Sequence, residues 1–283
     1  MSQKSYNNTP TLYLIPTPIG NMEDITLRAI TILKEVEVIF SEDTRVTKNL
    51  LNYLGITKKL ISSHNYNEEK NKEKLIEYLS QGYSVGLVTD RGTPVISDPG
   101  YILAYHAIQN GYNVVGLPGP TALIPALVTS GIEPMPFIFY GFLTNKQSKR
   151  IKELEDIKRM NLTTIIYEAP HRIKETLLDI STVLGNRYIA ISREISKKFE
   201  EIYRGNVDDL IKDFDEPKGE FVIVISKDNN DNQFENLSII EHVNLYIKEG
   251  HDSKEAIKLV AKERNMSKSE VYNHYHNIKK EVK

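Results

Sequence analysis

The sequence predicts an α/β protein: two α/β domains with a ligand cleft between them, followed by a small carboxyl-terminal helical module. Three observations carry this. Short apolar runs alternate with amphipathic helical patterns from Leu12 to about residue 226, the pattern of βαβ units and a largely parallel sheet. A stiff break, Leu117-Pro118-Gly119-Pro120, divides that stretch. A polar, asparagine-rich segment then precedes two helix-capping spacings. The expected organisation is therefore 11–118 and 119–227 for the α/β domains, 228–236 for a linker, and 237–283 for a helix-turn-helix-like module.

In the first domain, Leu12–Ile15, Val36–Phe40, Val85–Val88 and Val114–Leu117 read as strands. Asp24–Lys34, Thr44–Leu54 and Glu68–Ser80 read as helices, with Ala29, Ile30 and Leu33 sharing one face. In the second, Phe137–Tyr140, Thr163–Tyr167, Tyr188–Ser192 and Phe221–Ile225 are the expected strands. Its expected helices are Ala122–Ser130, Ser148–Met160 and Arg172–Leu184. In the terminal module, Asp252 with Glu255 and Ser267 with Glu270 have capping-box spacing. Two short helices joined by Glu263-Arg264-Asn265-Met266 follow from it. Lys254, Lys258, Lys262, Arg264, Lys268, Lys279, Lys280 and Lys283 give the module a basic tilt that acidic neighbours dilute.

Composition narrows the chemistry. The 283 residues include no cysteine and carry a net charge of −2, so disulfides, thiolate metal sites and cysteine nucleophiles are excluded. No apolar run approaches the roughly 18 residues that span a bilayer, and the amino terminus lacks the apolar core of a signal peptide. A cytoplasmic protein without a membrane or metal partner is expected. Near-neutral charge argues against a general polyanion binder but leaves room for local basic faces.

The densest information lies in residues 89–100, Thr-Asp-Arg-Gly-Thr-Pro-Val-Ile-Ser-Asp-Pro-Gly, directly after an apolar strand. Two prolines and two glycines stop both strand and helix. What remains is a rigid loop at a strand's carboxyl end, where open α/β sheets bind ligands. Pro16-Thr17-Pro18-Ile19-Gly20-Asn21 ends the first strand, and the chain has neither G-x-G-x-x-G nor a P-loop. A ligand gripped through its phosphates is thereby disfavoured. Ionisable groups gather after three further strands: Glu42-Asp43-Thr44-Arg45, Tyr167-Glu168 with His171-Arg172, and Arg193-Glu194 with Lys197. Each alone reads equally as a helix cap or ion pair; three at corresponding strand ends point to a shared polar site. His274 and His276, two apart, share no helix face, and no metal-ligand spacing is present.

Taken in order, these motifs with Leu117–Pro120 and Lys218-Gly219-Glu220 resemble the bacterial ribosomal RNA small-subunit methyltransferase I family, whose fold is that of the tetrapyrrole (corrin/porphyrin) methylases. The match covers about residues 11–226. The resemblance implies S-adenosylmethionine as cofactor, bound between the two α/β domains, and a homodimer. It also implies 2′-O-methylation of a cytidine ribose in the decoding region of small-subunit ribosomal RNA, free or in the assembled subunit. By position, Asp90, Gly92, Thr93, Thr121, Ala122, Tyr167 and Glu168 would contact the cofactor, with Pro18 and Gly20 beside the transfer side. Relatives usually carry alanine where this chain has Arg91, whose guanidinium would clash, face solvent or meet an RNA phosphate.

A ribose hydroxyl needs a base within reach, and the candidates are Glu42, Asp43, His171, Glu194 and Lys197. Arg45 and Arg172 would hold phosphates, and Lys146, Lys149, Arg150 and Lys152 form the densest basic patch. The alternatives are a methyltransferase of the same fold acting on a tetrapyrrole or other small acceptor, and a catalytically inactive nucleic-acid-binding relative.

Overall fold

The computed structural model describes residues 3–5, 7–64, 66–214, 218–228, 237–248, 250–264 and 266–281. The first sheet is wholly parallel and is wound in both directions from its centre. Its strands are β1 (Thr11–Leu14), β2 (Val38–Ser41), β3 (Lys59–Ser62), β4 (Val85–Val88) and β5 (Asn113–Gly116), in the order β3-β2-β4-β1-β5. Every residue of β2 and β4 is buried, as expected of strands covered on both faces. Helices α1 (Leu27–Glu35) and α2 (Thr44–Tyr53) pack one face through Ala29, Leu33 and Leu51. Helices α3 (Glu68–Ser80) and α4 (Tyr101–Gln109) pack the other through Leu75, Leu79 and Leu103. The connections leaving β1 and β4, which are hydrogen-bonded neighbours, thus run to opposite faces. A crevice opens between their carboxyl ends.

The second sheet differs from the first in being mixed. Its strands are β6 (Phe137–Phe142), β7 (Thr163–Glu168), β8 (Tyr188–Arg193), β9 (Glu201–Asn206) and β10 (Phe221–Ile225), in the order β6-β7-β10-β8-β9. Only β6 and β7 run parallel; the other three pairings are antiparallel. The apolar run Phe221–Ile225 is the central strand and is fully buried. Alternate residues serve opposite faces. Phe221, Ile223 and Ile225 join the core beneath α7 (Ile173–Leu184), whereas Val222 and Val224 meet α5 (Leu123–Thr129). Both sheets belong to one compact unit, Met1–Ser226.

Helix α6 (Gln147–Met160) corrects one expectation. Arg150, expected to contact RNA, is 1% exposed; its Nε donates to Asp179 Oδ2 at 2.7 Å and its guanidinium also donates to the Asn145 carbonyl. The helix turns its apolar stripe, Leu154 and Ile157, inward, and Arg150 lies on that side, clamping α6 to α7. Lys146, Lys149 and Lys152 remain exposed.

The second compact unit, Lys227–Lys283, shows among its described residues three helices where two were expected: α9 (Ile239–Lys248), α10 (Ser253–Glu263) and α11 (Lys268–Glu281); a one-turn helix, α8 (Val207–Leu210), precedes them in the first unit. Val243, Ala256, Val260, Val271 and Tyr275 form their common core. Asp252 caps α10, accepting from the Glu255 amide at 2.8 Å, and Ser267 and Glu270 cap α11 reciprocally. Ser238 and Glu241 form a further reciprocal cap on α9. Of the expected linker, 229–236 lies outside the described residues, as do Asn265 of the expected turn and the side chains of Lys279, Lys280 and Lys283.

Removing one partner of a buried ion pair strands the other charge in a low-dielectric interior, at a cost of about 3–5 kcal/mol. Asp179→Ala should therefore lower unfolding free energy by about that amount in urea titrations; a loss under 1 kcal/mol would show that Arg150 escapes to water.

Candidate functional site

Two reciprocal backbone hydrogen bonds join the loops that leave β1 and β4: Thr17 N to Gly92 O, and Gly92 N to Thr17 O, both 2.9 Å. The Thr17 hydroxyl also donates to the Thr89 carbonyl at 3.2 Å. Gly92 sits at φ +80°, where a side chain is strained. Beyond it, Val95 and Ser97 hold φ of 79° and 63°, which is exceptional for a β-branched residue. The Thr93 hydroxyl ties this loop to the Pro120 carbonyl at 2.9 Å. The loop is therefore fixed at both ends and strained between them.

Against it lies a cavity of about 300 Å³, the size of a small-molecule site. Gly92, Thr93, Ile96 and Asp98 form the wall from the first sheet, and Thr121 and Ala122 follow the proline–glycine break. Tyr167, Ile195, Phe221 and Val222 form the wall from the second sheet. The lining is mostly apolar. Tyr167 is fixed edge-on against Phe139 and Phe142, at ring separations of 4.8 and 5.6 Å. Burial pushes its phenol pKa up.

Four ionic groups close the rim. Arg91 Nη1 donates to Glu220 Oε1 at 2.6 Å, Lys197 Nζ to Glu220 Oε2 at 2.9 Å, and the same ammonium to Glu194 Oε1 at 2.9 Å. Glu194 also accepts from the Glu220 amide. The Lys197 ammonium beside Glu194 holds its carboxyl below the usual range. Here, too, the backbone is strained, with φ of 52° at Glu194 and 69° at Ser196. The Ser196 hydroxyl accepts from the Asn21 amide at 3.0 Å and donates to Asp24. Arg91 thus borders the cavity, half-exposed, and links the β4 loop to the start of β10.

On the first-sheet side, carboxylates gather. The Asp90 amide donates to Glu42 Oε2 at 3.3 Å and the Asp43 amide to Asp90 Oδ1 at 3.0 Å. Burial is the main cause raising both Glu42 and Asp90, and neighbouring carboxylates add to it. Burial, then Glu42 and Asp90, push Asp98 up to about 7.

Several expected residues stand elsewhere. Asp43 is the cap of α2, accepting from the Arg45 amide, and its carboxylate is forked by the Arg45 guanidinium. Those bonds hold it at about 2, a weak base at neutral pH. Arg172 is no phosphate clamp: its Nη2 donates to the Leu143 carbonyl and to Glu168, and only 11% of its side chain is exposed. The Glu168 carboxylate is correspondingly interior, bonded to Arg172 and the Thr176 hydroxyl, although the residue borders the cavity. Pro18 and Gly20 do not line the cavity, but Ile19 between them does; Gly20 lies beneath Lys197, whose Cγ would stand 2.3 Å from an added Cβ. Asp90 faces the carboxylates rather than the cavity, and His171 is exposed outside it. Ile96, Phe142, Ile195 and Val222 were not anticipated: as apolar residues near strands they carry the signature of core. Asp98 was visible inside the 89–100 loop but carried no distinguishing mark. Among the described residues no cluster suited to a metal ion occurs.

A doubly wound sheet whose switch-point loops face a second, mixed sheet across an apolar cavity defines a class. Residues 11–211 match the tetrapyrrole (corrin/porphyrin) methylases, and the chain belongs to that family. Within it, the chain is 46% identical to the ribosomal RNA small subunit methyltransferase I of Bacillus subtilis (strain 168), over 98% of this chain and 97% of the relative. It is 44% identical to the protein of the same name from Halalkalibacterium halodurans, over 97% and 99%. Among solved structures it is similar to a diphthine synthase (TM-score 0.59, 15% identity, 76% of this chain and 90% of the other). It is also similar to a cobalt precorrin-4 methyltransferase (TM-score 0.57, 16% identity, 79% and 97%).

Gly119 packs so closely on Pro16 that an added Cβ would lie 2.6 Å from the proline Cβ. A proline ring cannot swing away, so Gly119→Ala should destabilise the chain by about 1–3 kcal/mol, read as a fall in melting temperature. An unchanged melt would mean that the break is not rigid.

Proposed function

We propose that this chain transfers the methyl group of S-adenosylmethionine to the 2′-hydroxyl of a cytidine ribose in small-subunit ribosomal RNA. The observation that carries the proposal is the cavity between the two sheets, in a chain that matches methyltransferases of that name over nearly its whole length. The residues present suit the cofactor. The apolar wall of Ile195, Phe221 and Tyr167 suits an adenosine. A glycine at position 92 leaves the loop backbone open to close approach. Thr93, Thr121, Ala122 and Tyr167 would hold it, and S-adenosylmethionine would supply an electrophilic methyl on a positively charged sulfur. What the chain itself must do is fix the acceptor oxygen in line with that methyl and exclude water, since positioning alone is worth several kcal/mol.

Lys146 at the N-cap of α6, Lys149 and Lys152 on that helix, and Arg45 at the start of α2 are exposed cations that would meet phosphates. The terminal unit offers a second surface, where Lys254, Lys258 and Lys268, diluted by Asp252 and Glu255, surround the exposed Tyr272, a combination of cation and stacking platform suited to RNA. That surface favours RNA over a tetrapyrrole or other small acceptor. A binding protein without catalysis would not need the open cavity that Arg91 spares. The active form is a homodimer working in the cytoplasm. The stacked Tyr101 and Tyr105 with Ile108, all exposed on α4, support an apolar contact between copies, and no helix among the described residues is long and apolar enough to cross a membrane.

Calorimetry should detect S-adenosylmethionine binding at micromolar concentration, and incubation with small subunits or their RNA should place the methyl on a cytidine 2′-oxygen. Absence of binding removes the enzyme reading; methylation of a small acceptor only replaces the substrate. Reversing Lys254, Lys258 and Lys268 together to glutamate should weaken RNA binding and flatten its dependence on salt by up to about three phosphate contacts, with cofactor affinity unchanged. An RNA affinity equal to that of the unsubstituted chain would show that the terminal unit does not touch RNA.

A further inference from the structure

The turn that joins β8 to β9 rises from the cavity wall and carries a phenylalanine into solvent. Its foot is Ile195, which lines the cavity, and its tip is Lys198-Phe199, both exposed. Phe199 is 69% exposed and joins none of the apolar clusters among the described residues. The Lys198 ammonium stands over its ring, 5.8 Å from the centroid, and makes no ion pair among the described residues.

This turn is built rather than loose. Glu194 and Ser196 hold φ of 52° and 69°, a region that side chains rarely adopt. The Lys197 amide donates to the Glu194 carbonyl at 2.9 Å, and the Glu200 amide to the Lys197 carbonyl at 3.1 Å. Glu200 folds back to accept from the Ser196 amide at 2.6 Å. The Asn21 amide and Asp24 pin the Ser196 hydroxyl to the loop after β1, and Glu194 and Glu220 hold the Lys197 ammonium. The neighbours of Phe199 are thus fixed while its ring is left uncovered. A face presented in this way binds without a large ordering cost.

We propose that Phe199 is a stacking platform for an unpaired base of the acceptor RNA, flanking the nucleotide that enters the cavity, with Lys198 beside it to meet a phosphate. The assignment rests on the methyl transfer to RNA proposed above. Single-stranded RNA offers one flat π-face and one negative charge per nucleotide, and it is gripped by aromatic rings set beside cations. The carboxylates of the turn do not oppose this at the tip. Glu194 is held by Lys197, Glu201 by Arg193 and the Tyr203 hydroxyl, and Glu200 is drawn back onto the Ser196 amide. A base held here fixes where the neighbouring ribose sits at the mouth of the cavity, which is the positioning that the transfer requires.

Phe199→Ala tests this. The ring is exposed, so its removal should leave the melting temperature and the affinity for S-adenosylmethionine as they are. KM for small-subunit ribosomal RNA should rise about 5- to 150-fold, the range for loss of one base–aromatic stack. The salt dependence of RNA affinity should not change, because no phosphate contact is removed. Lys198→Ala should instead flatten that dependence by about one phosphate contact. Phe199→Tyr keeps a ring and should restore the KM.

A second readout needs no turnover. The chain contains no tryptophan, so Phe199→Trp places a lone indole at the tip. Small-subunit ribosomal RNA should quench its emission, because a stacked base meets the indole directly. Heparin, a polyanion without bases, should leave the emission unchanged. An unaltered RNA KM in F199A, or no quenching of F199W by RNA that it methylates, overturns the assignment. So does equal quenching by heparin, which would make the turn a contact for charge alone. A change of oligomeric state in F199A with RNA affinity intact also overturns it, since the ring would then pack against a second copy. If the unsubstituted chain methylates no RNA, the proposed function fails first and this assignment fails with it; a failure confined to the variants leaves that function standing.

Discussion

The pair of 2.9 Å bonds between Thr17 and Gly92 is the constraint on which the site depends. Parallel strands end without pairing their outgoing loops, and at a switch point those loops leave in opposite directions. Here the bonds tie them together just beyond β1 and β4. That tie lets the next residues occupy conformations costing of order 1–3 kcal/mol each, because the loop cannot relax by swinging away. Val95 and Ser97 are held where free chain would not stay, and the cavity keeps its wall.

The two sides of the cavity differ electrostatically. On the first-sheet side, Glu42, Asp90 and Asp98 crowd one another, and burial raises all three. On the second-sheet side, Glu194 and Glu220 alternate with Lys197 and Arg91, so charge is balanced along the rim. Exposed pairs of this kind add little stability; their consequence is geometric, since they hold the β4 loop, the β8 corner and the start of β10 in register. Crowded carboxylates and structural closure thus fall on opposite walls.

Much of this was legible in the sequence, and the misses have physical causes. Apolar runs located β2, β4 and β10 because strands covered on both faces have no polar face to disguise them. The edge strands Lys59–Ser62 and Glu201–Asn206 escaped, having few buried positions, and α4 escaped because its first residues, Tyr-Ile-Leu-Ala-Tyr, show no polar face. Gly92, Thr93, Thr121, Ala122 and Tyr167 were found through motifs and do line the cavity. Arg150 misled because its partner lies 29 residues away and its sequence neighbours are lysines. Asp98 stayed anonymous for a related reason: its character comes from burial and then from Glu42 and Asp90, all of which only the folded chain supplies.

The placement of β10 has a consequence for how the molecule is made. This strand is the last of its unit, yet it sits at the centre of the second sheet between β7 and β8, and its Phe221 and Val222 supply cavity wall. Sheets joined by such distant pairings form slowly, since the chain must close long loops before the contacts reward it. During synthesis, β7 and β8 emerge with their facing edges unpaired and wait for residues 221–225. The ligand cavity is therefore completed last, and a chain truncated before β10 would retain the β4 loop without the wall it faces.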